Sequence, residues 1–178
     1  MIYLRELKTS DAQLMLEWMH DFDIQKRFRR DMMSVSIDDV ISFCEKYKIP
    51  DVIKNGDDLH FAIAGENDEY LGTISLKNID LKNSIAEYAI STRKKAWGKG
   101  VALTATGLIL KKAFTDYGLH RVYLNVLADN DAAIRLYEKC GFKNEGNFRE
   151  HLQVNGEYVD LKWYGILDSE YDEKIYTK

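Results

Sequence analysis

Proline is nearly absent from this sequence: Pro50 is the single one in 178 residues. No Pro-rich or Gly/Ser-rich tract and no internal repeat interrupts the chain, so nothing marks a linker between two domains. Cysteine is almost as scarce. Cys44 and Cys140 form neither a CxxC pair nor a Cys/His set at metal-ligand spacing. That excludes a disulfide framework and a zinc module, and predicts two reduced, buried thiols in a cytoplasmic protein with no metal. Long apolar runs are missing too, so no segment can span a bilayer. The opening Met1-Ile2-Tyr3-Leu4-Arg5-Glu6 shows no apolar h-region and no cleavage pattern. The last absence is an excess of positive charge. A formal net charge of −4 argues against a general nucleic-acid binder, whose target phosphates need a basic surface.

What remains is globular material. Hydrophobic residues make up 46% and charged residues 30%, enough for one sizeable core in one domain. Ile49 to Asp58, with Pro50 and the turn signal Asn55-Gly56, reads as a loop inside that domain, because the chain before it is too short to bury its own core. Ile2 to Leu7 alternates as a strand. Ser10 and Asp11 are candidate caps for a helix to His20, and Ser36 for one over Asp38 to Lys48. Period two then predicts strands at Leu59 to Ala64, Tyr70 to Asn78 and Ile85 to Ser91, with Gly65 to Glu69 as a turn. A long helix follows to Tyr117, stopped by Gly118. Arg121 to Leu127 is a strand, and Asp129-Asn130 caps a short helix ended by Gly141. Phe142 to Val154 and Tyr158 to Leu167 form a hairpin across Asn155-Gly156. The order β-α-α-β-β-β-α-β-α-β-β is an α+β arrangement. Residues 1–168 are expected to form the single domain, and Ser169 to Lys178 a polar, frayed tail.

The most informative segment is Arg93-Lys94-Lys95-Ala96-Trp97-Gly98-Lys99-Gly100-Val101-Ala102, between a strand and a long helix. A helix start offers unpaired N–H groups and a partial positive charge, a ready site for an anion. Gly98 and Gly100 let the backbone approach a pyrophosphate closely. The segment lacks the Gly-Lys-Ser/Thr ending of a nucleotide P-loop and is not GxGxxG. A bare Gly-x-Gly is equally the mark of a plain strand-to-helix turn.

Here the sequence resembles the GNAT family of N-acetyltransferases, whose loop reads Gln/Arg-x-x-Gly-x-Gly/Ala. Lys95-Ala96-Trp97-Gly98-Lys99-Gly100 occupies it, with Lys95 departing from the pattern at its first position. Asn125 to Phe142 resembles the family's N-x-x-A-x-x-L-Y-x-x-x-G-F signature. Glu145 to His151 with Asn155 to Asp160 is similar to the branch of ribosomal-protein N-terminal and spermidine N-acetyltransferases. The resemblance implies a GNAT-type acyl-CoA N-acyltransferase fold, with a mixed, mostly antiparallel sheet of about seven strands and about four helices. It implies transfer of acetyl from acetyl-CoA to a primary amine, on a polyamine, an amino sugar, an antibiotic or a peptide N-terminus.

The same resemblance supplies the site. Tyr88, Ala89 and Ile90 would offer backbone groups to the pantetheine arm or the acetyl carbonyl. Trp97, Gly98, Lys99, Gly100, Val101, Ala102 and Leu103 would hold the pyrophosphate, with Lys95 and Ala96 also among the coenzyme-binding residues. Asn125, Asn130 and Ala133 would contact the coenzyme further along. Tyr137 would stabilise or protonate the departing thiolate, against the plainer reading of a satisfied core tyrosine. Glu87 is the candidate base or amine binder, against an ordinary ion-paired strand glutamate. Trp97 and His120 read as structural, and His151 and Asp160 as hairpin residues bordering the acceptor. Asp21, Asp23 and Asp31 are candidates to attract a cationic amine, and Lys26, Arg27, Arg29 and Arg30 an acidic one; the plainer reading is a solvated face. Relatives are often dimers, so a homodimer is expected to be possible. A non-catalytic CoA-binding regulatory module on the same fold is the alternative.

Overall fold

The computed structural model describes residues 1–25, 31–154 and 156–176. Seven strands form one sheet: β1 (Tyr3–Glu6), β2 (Leu59–Ala64), β3 (Tyr70–Asp80), β4 (Ile85–Thr92), β5 (Arg121–Leu127), β6 (Lys143–Val154) and β7 (Glu157–Leu167). Their spatial order is β1-β2-β3-β4-β5-β7-β6. All neighbours are antiparallel except β4 and β5, which run parallel. The expected mixed, mostly antiparallel sheet is therefore present.

The sheet is the middle of three layers. Helices α4 (Val101–Lys111) and α5 (Asp131–Lys139) cover one face; α1 (Ala12–Met19), the single turn α2 (Phe22–Gln25) and α3 (Ile37–Lys46) lie towards the other. β2 is buried along its whole length because it has a helix layer on each side. Phe61 and Ile63 join the α4 core, while Ala62 joins the α1/α3 core. Such two-sided burial is why β2 reads as a nearly continuous apolar run.

Local caps explain the element ends, with one correction. Ser36 caps α3 as expected: its Oγ accepts from Asp39 N at 3.2 Å, and the Asp39 carboxylate accepts from Ser36 N at 2.9 Å. Asp11 does not cap α1 with its side chain. Its buried carboxylate instead accepts from the two terminal Arg5 guanidinium nitrogens, Nη1 and Nη2, at 2.7 and 2.8 Å, and from Lys8 N at 2.9 Å. A bidentate pair outcompetes a cap and ties β1 to the helix entry. The long helix also differs. It is α-helical to Lys111 and then widens through Lys112–Asp116, where Tyr117 N bonds Lys112 O at 3.0 Å. Gly118 follows at φ +62°. α2 was not expected, and it brings the α-helices among the described residues to five.

The C-terminal segment is a second correction. Ser169 to Tyr176 is not frayed. Tyr176 is buried, and its hydroxyl donates to Cys140 O at 2.6 Å. Its ring lies against Gly107 in α4, where a Cβ would fall 2.3 Å from Tyr176 Cγ. Tyr171 donates to Gly107 O at 3.3 Å and stacks on Tyr176 with centroids 5.7 Å apart. The polar letters of the segment hide two tyrosines that lean on the one α4 residue without a side chain.

Candidate active site

The central feature is a split between β4 and β5. Their ladder joins Ile85 to Arg121, Ala86 to Val122 and Glu87 to Tyr123, and goes no further. β4 stays paired with β3 as far as Thr92, and β5 with β7 as far as Leu127. The inner edges of 88–92 and 124–127 therefore face each other across a slot without ladder bonds among the described residues. Such edges present backbone N–H and C=O groups to whatever extended group enters. The slot opens into a cleft of about 680 Å³.

Of the residues expected at the coenzyme, the cleft brings together Tyr88, Ala89 and Ile90 from β4, and Ala96, Trp97, Gly98, Gly100, Val101, Ala102 and Leu103 from the loop and α4. Asn125, Asn130 and Ala133 line it from β5 and α5. The two candidate catalytic residues, Glu87 and Tyr137, line it as well. Lys95 and Lys99 lie outside the lining. The Lys95 ammonium sits on Glu69, at 2.8 and 2.9 Å, and that contact holds the Glu69 carboxyl below its ordinary range. Lys99 is exposed.

The loop's conformation follows from its glycines. Gly98 and Gly100 stand at φ +70° and +74°, the left-handed region that costs an L side chain about 1–2 kcal/mol. A Cβ at either would meet nothing within 4 Å, so the protein leaves the space above the loop open. Gly100 hands over directly to α4, whose first N–H groups have no intrahelical partner. Trp97 braces the loop, its Nε1 donating to Thr92 Oγ1 at 3.2 Å.

On the floor, Tyr137 is buried and meets Tyr88 edge-on. Tyr88 is fully buried, and burial pushes its phenol well above the ordinary value. Asn130 caps α5, its Oδ1 accepting from Ala133 N at 3.3 Å. Asn125 Oδ1 is buried with no hydrogen-bond partner among the described residues, a cost that a donor in the cleft would remove.

Glu87 marks the vertex of the split. Its Oε1 accepts from Lys77 Nζ at 3.2 Å and its Oε2 from Asn78 Nδ2 at 2.9 Å. Asp160 is committed to the β6 bulge: it accepts from Asn147 Nδ2 at 3.0 Å and Glu150 N at 2.8 Å, and Asn147 holds its carboxyl low. His151 is exposed, its ring 5.4 Å from Phe148. His120 is exposed and pairs with Asp168 at 3.1 Å. Lys26, Arg27, Arg29 and Arg30, with Asn155, lie outside the described residues. Sequence reasoning missed Ile24, Lys77, Ser91, Thr92 and Lys139, which also line the cleft. Ser91 and Thr92 were within reach, as the continuation of the strand edge beyond Ile90. Ile24 carries no sequence signal.

An acetyltransferase (GNAT) domain family model matches residues 2–143. The chain belongs to the GNAT acetyltransferase family. This GNAT chain is 36% identical over 111 residues to the spermidine N(1)-acetyltransferase of Vibrio cholerae, a match covering 62% of this chain and 64% of that protein. It is 33% identical over 126 residues to the putative ribosomal N-acetyltransferase YdaF of Bacillus subtilis, covering 70% of this chain and 69% of that one. The crystal structure of the Vibrio cholerae spermidine N-acetyltransferase in complex with CoA and spermine superposes with a TM-score of 0.83 at 29% identity, over 96% of this chain and 97% of that chain. The protein is thus an acetyl-CoA-dependent N-acetyltransferase. The unpaired strand edges, the open glycine loop and the orphaned Asn125 oxygen fit the coenzyme's amide-bearing arm and diphosphate. Among the described residues, no cluster of His, Cys, Asp or Glu could hold a metal, and no helix is long and apolar enough to cross a membrane.

Proposed function

We propose that this GNAT enzyme acetylates a terminal primary amine of an aliphatic polyamine. The supporting observation is a second cavity, about 450 Å³, that shares Ala89, Ile90 and Ser91 with the coenzyme cleft. Met15, Trp18, Met19, Met32, Val35 and Phe43 give it apolar walls, and Asp31 and Asp39 line it with carboxylates. Methylene segments suit such walls, and ammonium groups suit the two acids. The naming of relatives for spermidine supports the same class of acceptor.

In this reading acetyl-CoA supplies the acetyl group as a thioester, and the residues of this chain do the rest. The Ile90 N–H, which the β3–β4 register turns towards the slot, polarises the acetyl carbonyl. Glu87, already held by Lys77 and Asn78, orients the incoming amine, and water carries its proton away. Tyr137 gives its phenolic proton to the departing sulfur as the N–C bond forms and the C–S bond breaks. Water takes the first ammonium proton before attack, and the second, shed by nitrogen once the N–C bond has formed, restores the phenol.

Thiol release measured with acetyl-CoA and a panel of spermidine, spermine, a peptide N-terminus and a nucleotide-linked amino sugar tests the acceptor. Spermidine or spermine should give the highest kcat/KM. A tenfold preference for the peptide or the sugar would overturn the polyamine reading, and absence of release with every amine would favour the non-catalytic module. Asp31→Asn should raise KM for spermidine while leaving the acetyl-CoA affinity unchanged.

A further inference from the structure

The basic residues that enter the coenzyme loop are turned away from it. Arg93 is buried and bridges Glu17 at 2.8 Å and Glu69 at 3.1 Å, while Lys95 takes Glu69. Lys94 reaches furthest: its Nζ lies 2.8 Å from Asp21 Oδ2 and 2.9 Å from Asp23 Oδ2. Asp21 is at the same time the cap of α2. Its Oδ1 accepts from Asp23 N at 3.0 Å and Ile24 N at 3.2 Å. Ile24, the residue so positioned, is buried, and it lines the coenzyme cleft from the acceptor-side layer. One continuous path thus runs from the loop cation through a capping carboxylate to a cleft wall. α2 is a single turn, too short to be stable without such support.

We infer that Lys94 is a positioning residue for coenzyme binding: by fixing Asp21 and Asp23 it holds Ile24 as one wall of the cleft. Its effect on affinity runs through the acceptor-side turn and not through the phosphates. The inference rests on acetyl-CoA occupying this cleft.

Calorimetric titration of the full chain with acetyl-CoA, alongside steady-state kinetics, tests it. At low ionic strength Lys94→Ala should weaken the Kd about fivefold and leave kcat within about twofold, because a partly exposed doubly paired cation contributes on that scale. Lys94→Arg should restore wild-type affinity. In about 0.5 M salt the wild type should approach the alanine variant, since exposed pairs are screened. In an Ile24→Ala background, loss of Lys94 should add almost nothing, because the wall it steadies is already gone. Unchanged affinity in Lys94→Ala would overturn the inference. So would a fivefold loss that persists in the Ile24→Ala background, which would place Lys94 on the coenzyme directly. Failure of the wild type itself to bind acetyl-CoA would refute the coenzyme reading instead, so the two failures are distinct.

Discussion

The ring of Tyr137 stands edge-on to that of Tyr88, with centroids 5.9 Å apart and planes at 87°. Tyr88 is in turn fixed to α4. Thr106 Oγ1 donates to Ala102 O at 2.7 Å, so its contact of 2.8 Å with the Tyr88 hydroxyl uses that hydroxyl as donor. The coenzyme-loop helix, the split strand and the candidate acid are thereby joined in one rigid cluster, which Phe142 completes at 5.6 and 6.0 Å from the two rings. Positioning of this kind is what a proton donor needs, since catalysis by a general acid depends on placement before acidity.

Replacing Tyr137 with Phe keeps the aromatic packing and removes the proton. We expect kcat to fall about 100-fold, within the usual contribution of a general acid. The Kd for acetyl-CoA should stay within about twofold. Single-turnover kinetics and calorimetry on the same preparation check this. Unaltered kcat would remove the phenol from the reaction.

The loop glycines predict a different signature. At φ +70° and +74°, Gly98 and Gly100 occupy backbone wells that alanine enters only at about 1–2 kcal/mol. Neither has a neighbour within reach of a new Cβ, so packing inside the protein does not object. Gly98→Ala and Gly100→Ala should therefore leave the fold intact while weakening acetyl-CoA binding about tenfold through a loop that no longer holds its shape. Equal affinity with equal thermal stability would show that the loop tolerates the change.

The tail shows where the sequence stopped being readable. Strand alternation, the Gly-x-Gly loop and the run from Asn125 to Phe142 were legible because each is a local pattern with a local cause. Tyr176 belongs to no such pattern. Its value lies in Gly107, 69 positions earlier, whose missing side chain leaves the recess that its ring fills. Ile24 and the Lys94 pairing were hidden for the same reason, as contacts between segments far apart in the chain. Asp11 misled for a related one: a cap was chemically available, but Arg5 offered a stronger partner. Tyr176→Ala should cost roughly 3 kcal/mol of unfolding free energy, the order found for emptying a buried aromatic site. Urea unfolding measures it. A midpoint equal to that of the wild type would mean that the tail docks without contributing.

The buried His60 predicts how stability depends on pH. Its Nδ1 is 2.7 Å from Ser75 Oγ, and its ring packs against Phe43 at 4.8 Å and Tyr47 at 4.6 Å, which also touch each other. Burial lowers its pKa from 6.5 to about 4. The native state therefore resists a proton that the unfolded chain accepts readily. Above pH 6.5 both states are neutral and nothing is lost. As pH falls from 6.5 towards 4 the unfolded state gains the proton first, and stability should drop by about 2 kcal/mol by pH 5 and roughly 3 kcal/mol in full. Carboxylates held low by partners, such as Asp160 and Asp21, start from 3.8 and lose their contribution at lower pH, so the windows separate. His60→Gln keeps a partner for Ser75 but does not titrate. Chemical unfolding of both proteins at several values between pH 7 and 4.5 should show a slope in the wild type and a nearly flat line in the variant. Parallel slopes would mean that His60 is not the group that makes this fold sensitive to mild acid.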